Sequence, residues 1–327
     1  MVRRLVVLAA ALICGSALGA QNVTRFDAVG GVPEVDRTTQ TQDVHFKDAR
    51  GDRMTVAVRL GGTGPYQFLV DTGADRSAVS STIAARLALA SAGPAELHSS
   101  TGVTTVSTAR VPSLEFTRPA QKLVEAAVLE SANMGADGIV GADVLRSQRV
   151  QFDFEKKTMT IVPATTPDFR DEPGTIVVEA RRKNGRLIMT DAVANDQKVT
   201  VVLDTGSEIC VGNEALRQRL LGRNLVDGRQ TVQLQSVTGD MISGDYMFVR
   251  KLQIGGITLQ NLAVVFVDAH TFKQLKLDKT PSLLLGMNAF RAFKKVSIDF
   301  ANRQFRVVVP EHSELETRLA MAGAGQP

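Results

Sequence analysis

Two aspartates stand out by their surroundings. Asp71 and Asp204 each open an Asp-Thr-Gly triplet, and each triplet ends an apolar run, Phe68-Leu69-Val70 in one case and Val199 to Leu203 in the other. A buried strand that ends in Asp carries a carboxylate inward, where an unpaired charge is costly. A single triplet has a bland reading, because Asp and Gly are turn formers. At average residue usage it arises by chance on the order of once in several thousand positions. Two triplets at matching places allow more. Set face to face about a pseudo-two-fold axis, two carboxylates cannot both ionise easily, so they share one proton and titrate as a pair. Such a pair suits amide hydrolysis. The charged member takes a proton from a water held between them, and the protonated member donates to the carbonyl oxygen. No covalent intermediate, metal or cofactor is needed. Thr72 and Thr205 can bond across the axis, and Gly73 and Gly206 leave room for backbone amides to approach the carboxylates.

The elements that would position these residues are written twice. Phe68 to Leu87 aligns without a gap on Val201 to Leu220, at a constant offset of 133 positions. Ser80 and Asn213 fall at the same place, and each can cap a short helix that follows. Further on, Gly138-Ile139-Val140-Gly141 parallels Leu284-Leu285-Gly286, and Gln151 to Phe154 parallels Ser297 to Phe300. Both copies then run into a strand that ends at a proline, Pro163 and Pro310. Ser99 to Gly102 and Ser236 to Gly239 lie between these blocks. An internal repeat of this kind governs the fold.

The pattern between landmarks is mostly strand. Met54 to Leu60 alternates apolar and polar over much of its length, and Thr175 to Ala180 and Leu187 to Val193 read alike. Turn signals stand at Gly61-Gly62, Asn184-Gly185 and Gly255-Gly256. Helices are expected to be short, one after each triplet and one after Gly141 and Gly286. The fold class is all-β with short helices, in two lobes related by a pseudo-two-fold axis. The expected boundaries are 43–163 and 174–310 for the lobes, with a linker at 164–173, looser chain at 21–42 and a tail at 311–327.

With these motifs in place, the sequence resembles the pepsin-like and retropepsin-like aspartic proteases. The resemblance covers nearly all of the two lobes. It implies acid-protease β-barrel lobes and one site with Asp71 and Asp204 as catalytic carboxylates. It implies Thr72, Gly73, Ala74, Thr205, Gly206 and Ser207 as loop support, with the apolar-apolar-Gly elements packed beneath. It also places flap hairpins at Thr101-Gly102 and Thr238-Gly239, against the bland alternative of ordinary hairpin turns. Neither Tyr66 nor Tyr246 sits at a hairpin tip, so no flap tyrosine of the pepsin kind is found. Each lobe is short, which looks like a fused retropepsin pair more than a full pepsin. The substrate would be a peptide or protein. One chain would supply the whole site as a monomer, although pairing of lobes between chains is the alternative assembly. A non-catalytic secreted peptide-binding or assembly module on the same fold is the alternative function.

Other chemistries find little support. The four histidines, His45, His98, His270 and His312, are far apart in sequence and show no ligand spacing, so no metal site is expected. A Gly-x-Ser-x-Gly element is absent. Asp153, Asp299, Arg146 and Arg291 also recur, and read as structural. Hydrophobic residues make up 44% and charged residues 22%, which fits a globular chain. The formal charge of +4 is scattered, and only 5% of residues are aromatic, which argues against nucleic acid.

Arg3, Arg4, the apolar run Leu5 to Ile13 and small residues up to Ala20 have the layout of a secretory signal peptide. Residues 1–20 are therefore expected to be removed, giving a secreted or periplasmic chain without a membrane span. Lipid anchoring at Cys14 is disfavoured by the bulky Leu12 and Ile13 before it. Cys210 then stands alone in the mature chain and reads as a small buried core residue.

Overall fold

A computed structural model describes residues 42–45, 47–48, 54–115, 121–145, 147–166, 168–169, 172–183, 185–222 and 226–310. The expected signal peptide, most of the 21–42 segment, Cys14, Arg146 and the tail lie outside these residues. The protein is an all-β molecule of three sheets, with six short helices among the described residues. None of those helices is long and apolar enough to cross a membrane.

Two of the sheets have eight strands each. From edge to edge the first runs Lys47–Asp48, Met54–Leu60, Thr63–Val70, Gly138–Val140, Ala78–Ser80, Gln121–Leu129, Val103–Glu115, Ala90–His98. The second runs Arg181–Lys183, Arg186–Ala194, Gln197–Leu203, Ser282–Leu285, Cys210–Gly212, Ile257–Phe266, Met241–Ile254, Val226–Gln235. The two orders coincide element by element. Each sheet also adds the same extra pairing, between its second and seventh strands.

The sequence explains the central strands. Thr63–Val70 pairs in parallel with Gly138–Val140, and Gln197–Leu203 pairs in parallel with Ser282–Leu285. Parallel strands covered on both faces need unbroken apolar runs, which Phe68-Leu69-Val70 and Leu283-Leu284-Leu285 supply. Met54–Leu60 instead buries alternate residues and leaves Ala57 and Arg59 outward. It turns back through Gly61-Gly62, with φ of 54° and 78°. Asn195-Asp196 does the same in the second lobe, with φ of 44° and 63°. Positive φ at both turn positions matches the twist of a two-residue hairpin.

The third sheet draws on both halves. Its order is Gln42–His45, Thr158–Pro163, Gln148–Asp153, Lys295–Asp299, Gln304–Val308, Thr175–Glu179. The middle pair, Gln148–Asp153 with Lys295–Asp299, is antiparallel and joins one half of the chain to the other. The closing strand of the second copy stops at Val308, short of the Pro310 expected from sequence. One apolar cluster runs through the whole, taking in Phe68 and Val70, Phe152 and Ile161, and Val201 and Leu203.

A buried ion network sits under this sheet. Arg149 is 3% exposed and lies 2.9 Å from Asp299 and 3.3 Å from Asp168. Arg306 also pairs with Asp168. Arg149 donates besides to the carbonyls of Thr166 and Ala164. Charges this deep persist only when paired and hydrogen-bonded. The segment 164–173, read from sequence as a linker, thus contributes Asp168 to the molecule's interior.

Candidate active site

Each triplet begins where a parallel strand ends. The Asp71 amide donates to Val140 O at 3.0 Å, and the Asp204 amide donates to Leu285 O at 3.1 Å. The chain then turns, and each carboxylate accepts from the amide two residues on. Gly73 N to Asp71 Oδ1 is 2.7 Å and Gly206 N to Asp204 Oδ1 is 3.0 Å. Asp71 is buried and Asp204 is half-buried.

The triplets then bond to each other. Thr72 N donates to Thr205 Oγ1 at 3.0 Å, and Thr205 N donates to Thr72 Oγ1 at 3.1 Å. Each hydroxyl passes its own proton across, Thr205 Oγ1 to Val70 O and Thr72 Oγ1 to Leu203 O. Four buried groups are satisfied by one reciprocal lattice, which leaves little play between the loops. The glycines bring the carboxylates to the same place. A Cβ on Gly206 would lie 2.3 Å from Asp71 Cγ, and a Cβ on Gly73 would lie 2.5 Å from Asp204 Oδ1. Each carboxylate therefore packs on the backbone of the other triplet.

The apolar-apolar-Gly elements lie under the loops. Ala142 N donates to Ala74 O and Asp143 N to Asp75 O; Met287 N donates to Ser207 O and Asn288 N to Glu208 O. A Cβ on Gly141 would be 2.5 Å from the Arg76 carbonyl carbon, and one on Gly286 2.7 Å from that of Ile209. Only glycine permits this contact. Gly141 N donates to Ser77 Oγ, and Gly286 N donates to Cys210 Sγ. Cys210 is thus the counterpart of Ser77, a buried acceptor in the frame. Burial pushes its thiol up to about 12, so it stays protonated. Asp143 accepts from Ser77 N and Oγ, yet burial still holds its carboxyl above the ordinary range. Asn288 fills the matching place without a charge and accepts from Cys210 N at 2.9 Å.

Two features went unseen in the sequence. Arg186 is fully buried, and its Nε donates to Gly73 O at 2.6 Å, inside the first triplet. On sequence it is one more strand-flanking arginine. The second feature concerns the histidines. His98 and His270, 172 positions apart, meet with Nδ1 and Nε2 at 3.1 Å and rings stacked. Their 172-position separation in sequence gave no sign of this contact, because strand order and not spacing joins them. Burial, followed by the facing His270, lowers the pKa of His98; burial, followed by Lys273, lowers that of His270. Among the described residues no three His, Cys, Asp or Glu side chains gather as a metal site would require.

Thr101-Gly102 and Thr238-Gly239 occupy the tips of two long hairpins, Ala90–His98 with Val103–Glu115 and Val226–Gln235 with Met241–Ile254. Thr101 bonds the Ser99 hydroxyl and Thr238 bonds that of Ser236, at matching places. Gly102 and Gly239 have φ of 156° and 91°. The tips meet, with Thr101 Oγ1 donating to Asp240 Oδ2 at 3.4 Å. The second tip reaches the first lobe, where Val237 packs on a cluster that includes Ala74, the residue after the first triplet. Tyr66 and Tyr246 lie within strands, away from both tips.

Comparison with known families gives a match in each lobe. Residues 56–147 match a family described as gag-polyprotein putative aspartyl protease, and residues 190–289 match one described as aspartyl protease. No curated protein matches the chain. The two matched stretches each hold one triplet and one apolar-apolar-Gly element, so each lobe of the chain matches a retropepsin-like aspartyl protease family.

Proposed function

We propose that the protein is an aspartic endopeptidase whose single site is made by Asp71 and Asp204 of one chain. The observation that carries the proposal is the mutual packing of each carboxylate on the other triplet's glycine. Close carboxylates hold one proton between them over the acidic range. The ionised member removes a proton from a bound water as the water's oxygen attacks the scissile carbonyl carbon. The neutral member protonates the carbonyl oxygen, giving a tetrahedral diol. Collapse of the diol expels the amine, which takes up a proton, and the dyad returns to its one-proton state. The threonine lattice keeps the carboxylates from drifting, which matters because small misplacements cost large rate factors.

Incubation of the mature chain with a mixed peptide library, from acidic to neutral pH, tests the proposal. Cleavage is expected in the wild type and is lost in both Asp71→Asn and Asp204→Asn. Cleavage that survives either substitution removes the shared-dyad mechanism. A wild type that binds peptides and cleaves none at any pH favours a binding module. The proposal extends to place and assembly: the chain acts as a monomer after export, once residues 1–20 are removed. N-terminal sequencing and a sedimentation mass of the exported protein check both points.

A further inference from the structure

The two hairpins dock on opposite lobes by different chemistry. His98, the last residue before the first tip, faces His270 at the start of the helix His270–Gln274 in the second lobe. The Gln274 amide is bonded to both imidazoles, and Ser100 O accepts from the His270 amide at 2.7 Å. The second hairpin is held otherwise. Gln235 Nε2 donates to Asn133 Oδ1 at 3.4 Å, and Val237 packs on the apolar cluster of the first lobe. His98 and Gln235 are counterparts: each precedes a Ser-x-Thr-Gly tip. One docking contact can titrate and the other cannot.

We propose that His98 and His270 form an acid-released latch, which holds the first hairpin against the second lobe at neutral pH and frees it as pH falls. In the neutral pair Gln274 Nε2 donates to the lone pairs of both facing nitrogens, His98 Nδ1 and His270 Nε2. One added proton can be shared between the two facing nitrogens. A second proton sets donor against donor and cation against cation, and the contact fails. The surrounding charges do not rescue it. Glu96, on the hairpin itself, favours protonation of His98 but ranks behind burial and the facing His270. Asp268 favours protonation of His270, yet it is paired at 2.7 Å with Lys273, which opposes it. Asp240 of the other tip is engaged by Thr101 and Thr238.

The sign follows. Both rings are driven below the ordinary 6.5, so docking favours the neutral form. The latch is complete above that value and is lost as pH falls through the lowered values, with proton uptake on release. The latch goes beyond peptidase activity and needs no substrate to be observed.

The test places spin labels at Val103→Cys on the first hairpin and Lys279→Cys on the second lobe. It uses an Asp71→Asn, Asp204→Asn background, so that the dyad adds no pH response. Cys210 is buried and takes no label. One short distance is expected at about pH 7.5, and a longer population, larger by roughly tenfold or more, at about pH 4.5. His98→Gln, which copies the second hairpin, is expected to give the same distribution at both pH values, and so is His270→Gln. Identical wild-type distances at both pH values overturn the latch, as does a pH response that survives in both variants. Should a variant fail to fold, the wild-type imidazole resonances decide. Coupled titration below 6.5 supports the latch, and independent titration at or above 6.5 overturns it. Acid opening of the labelled chain, together with no cleavage by the wild-type chain in the peptide-library assay, supports the latch and removes the peptidase proposal.

Discussion

Gly206 has almost no tolerance, because a methyl group there would overlap the Asp71 carboxylate. Gly206→Ala is therefore expected to fold but to lose at least about 100-fold in kcat/KM, since an ångström of displacement costs that much; steady-state kinetics beside circular dichroism check it. Thr205→Val removes the acceptor for Thr72 N and the donor to Val70 O while keeping the shape. Leaving a buried amide unsatisfied costs about 1–3 kcal/mol, to be read from denaturant unfolding. Asp143 has the opposite character. Its carboxyl is held above 3.8 by burial, so its charge costs stability once pH rises through the raised value. Asp143→Asn, which copies Asn288, is expected to raise the thermal midpoint at neutral pH, with the gain closing below about pH 3.8. The paired Asp, Thr and Gly were legible because the chemistry and the close backbone approach demand those residue types. Arg186 and the His98–His270 pair were not, since nothing local to an arginine or a histidine says which distant loop it will touch.

At the scale of elements, the two helix caps offer a graded comparison. Ser80 Oγ accepts only from Ile83 N, at 3.3 Å. Asn213 Oδ1 accepts from Leu216 N and Ser282 N, and its Nδ2 donates to Leu277 O and Thr280 O. Ser80→Ala is expected to cost about 1 kcal/mol. Asn213→Ala should cost clearly more, because it also removes the acceptor of Ser282 N and one donor each to Leu277 O and Thr280 O. Urea titrations of the two variants separate the values. Both caps were readable, as were the strand Met54–Leu60 and its Gly-Gly turn, because period, cap and turn chemistry are local. The hairpin Ala90–His98 with Val103–Glu115 was readable at its tip and not along its length. Its first strand carries Gly93 and Pro94, which speak against strand, and tertiary pairing overrides them.

For the whole molecule, the shared six-stranded sheet decides how the halves behave. Each half supplies three of its strands, and Arg149 and Asp299 meet across it from opposite halves. Arg149→Ala takes the guanidinium away from the buried Asp299 carboxylate, while Asp168 keeps Arg306, and is expected to cost about 3–5 kcal/mol. Because core and sheet are common property, calorimetry should record one cooperative transition, with calorimetric and van't Hoff enthalpies agreeing. The sequence showed two lobes meeting at one site and no sign of the sheet they share, since a strand's own residues do not name a partner about 150 positions away.

The unlike hairpin contacts have a consequence for what lies between them. A peptide runs from an amino to a carboxyl end and has no two-fold axis of its own. A perfectly symmetric enclosure would accept it equally in either sense. Here one tip docks through an imidazole pair and the other through a carboxamide and a valine, so a peptide held as the proposed peptidase requires would meet different walls in its two senses. Carrying both halves on one chain is what allows such a difference to be inherited, because two copies of a single half could never differ.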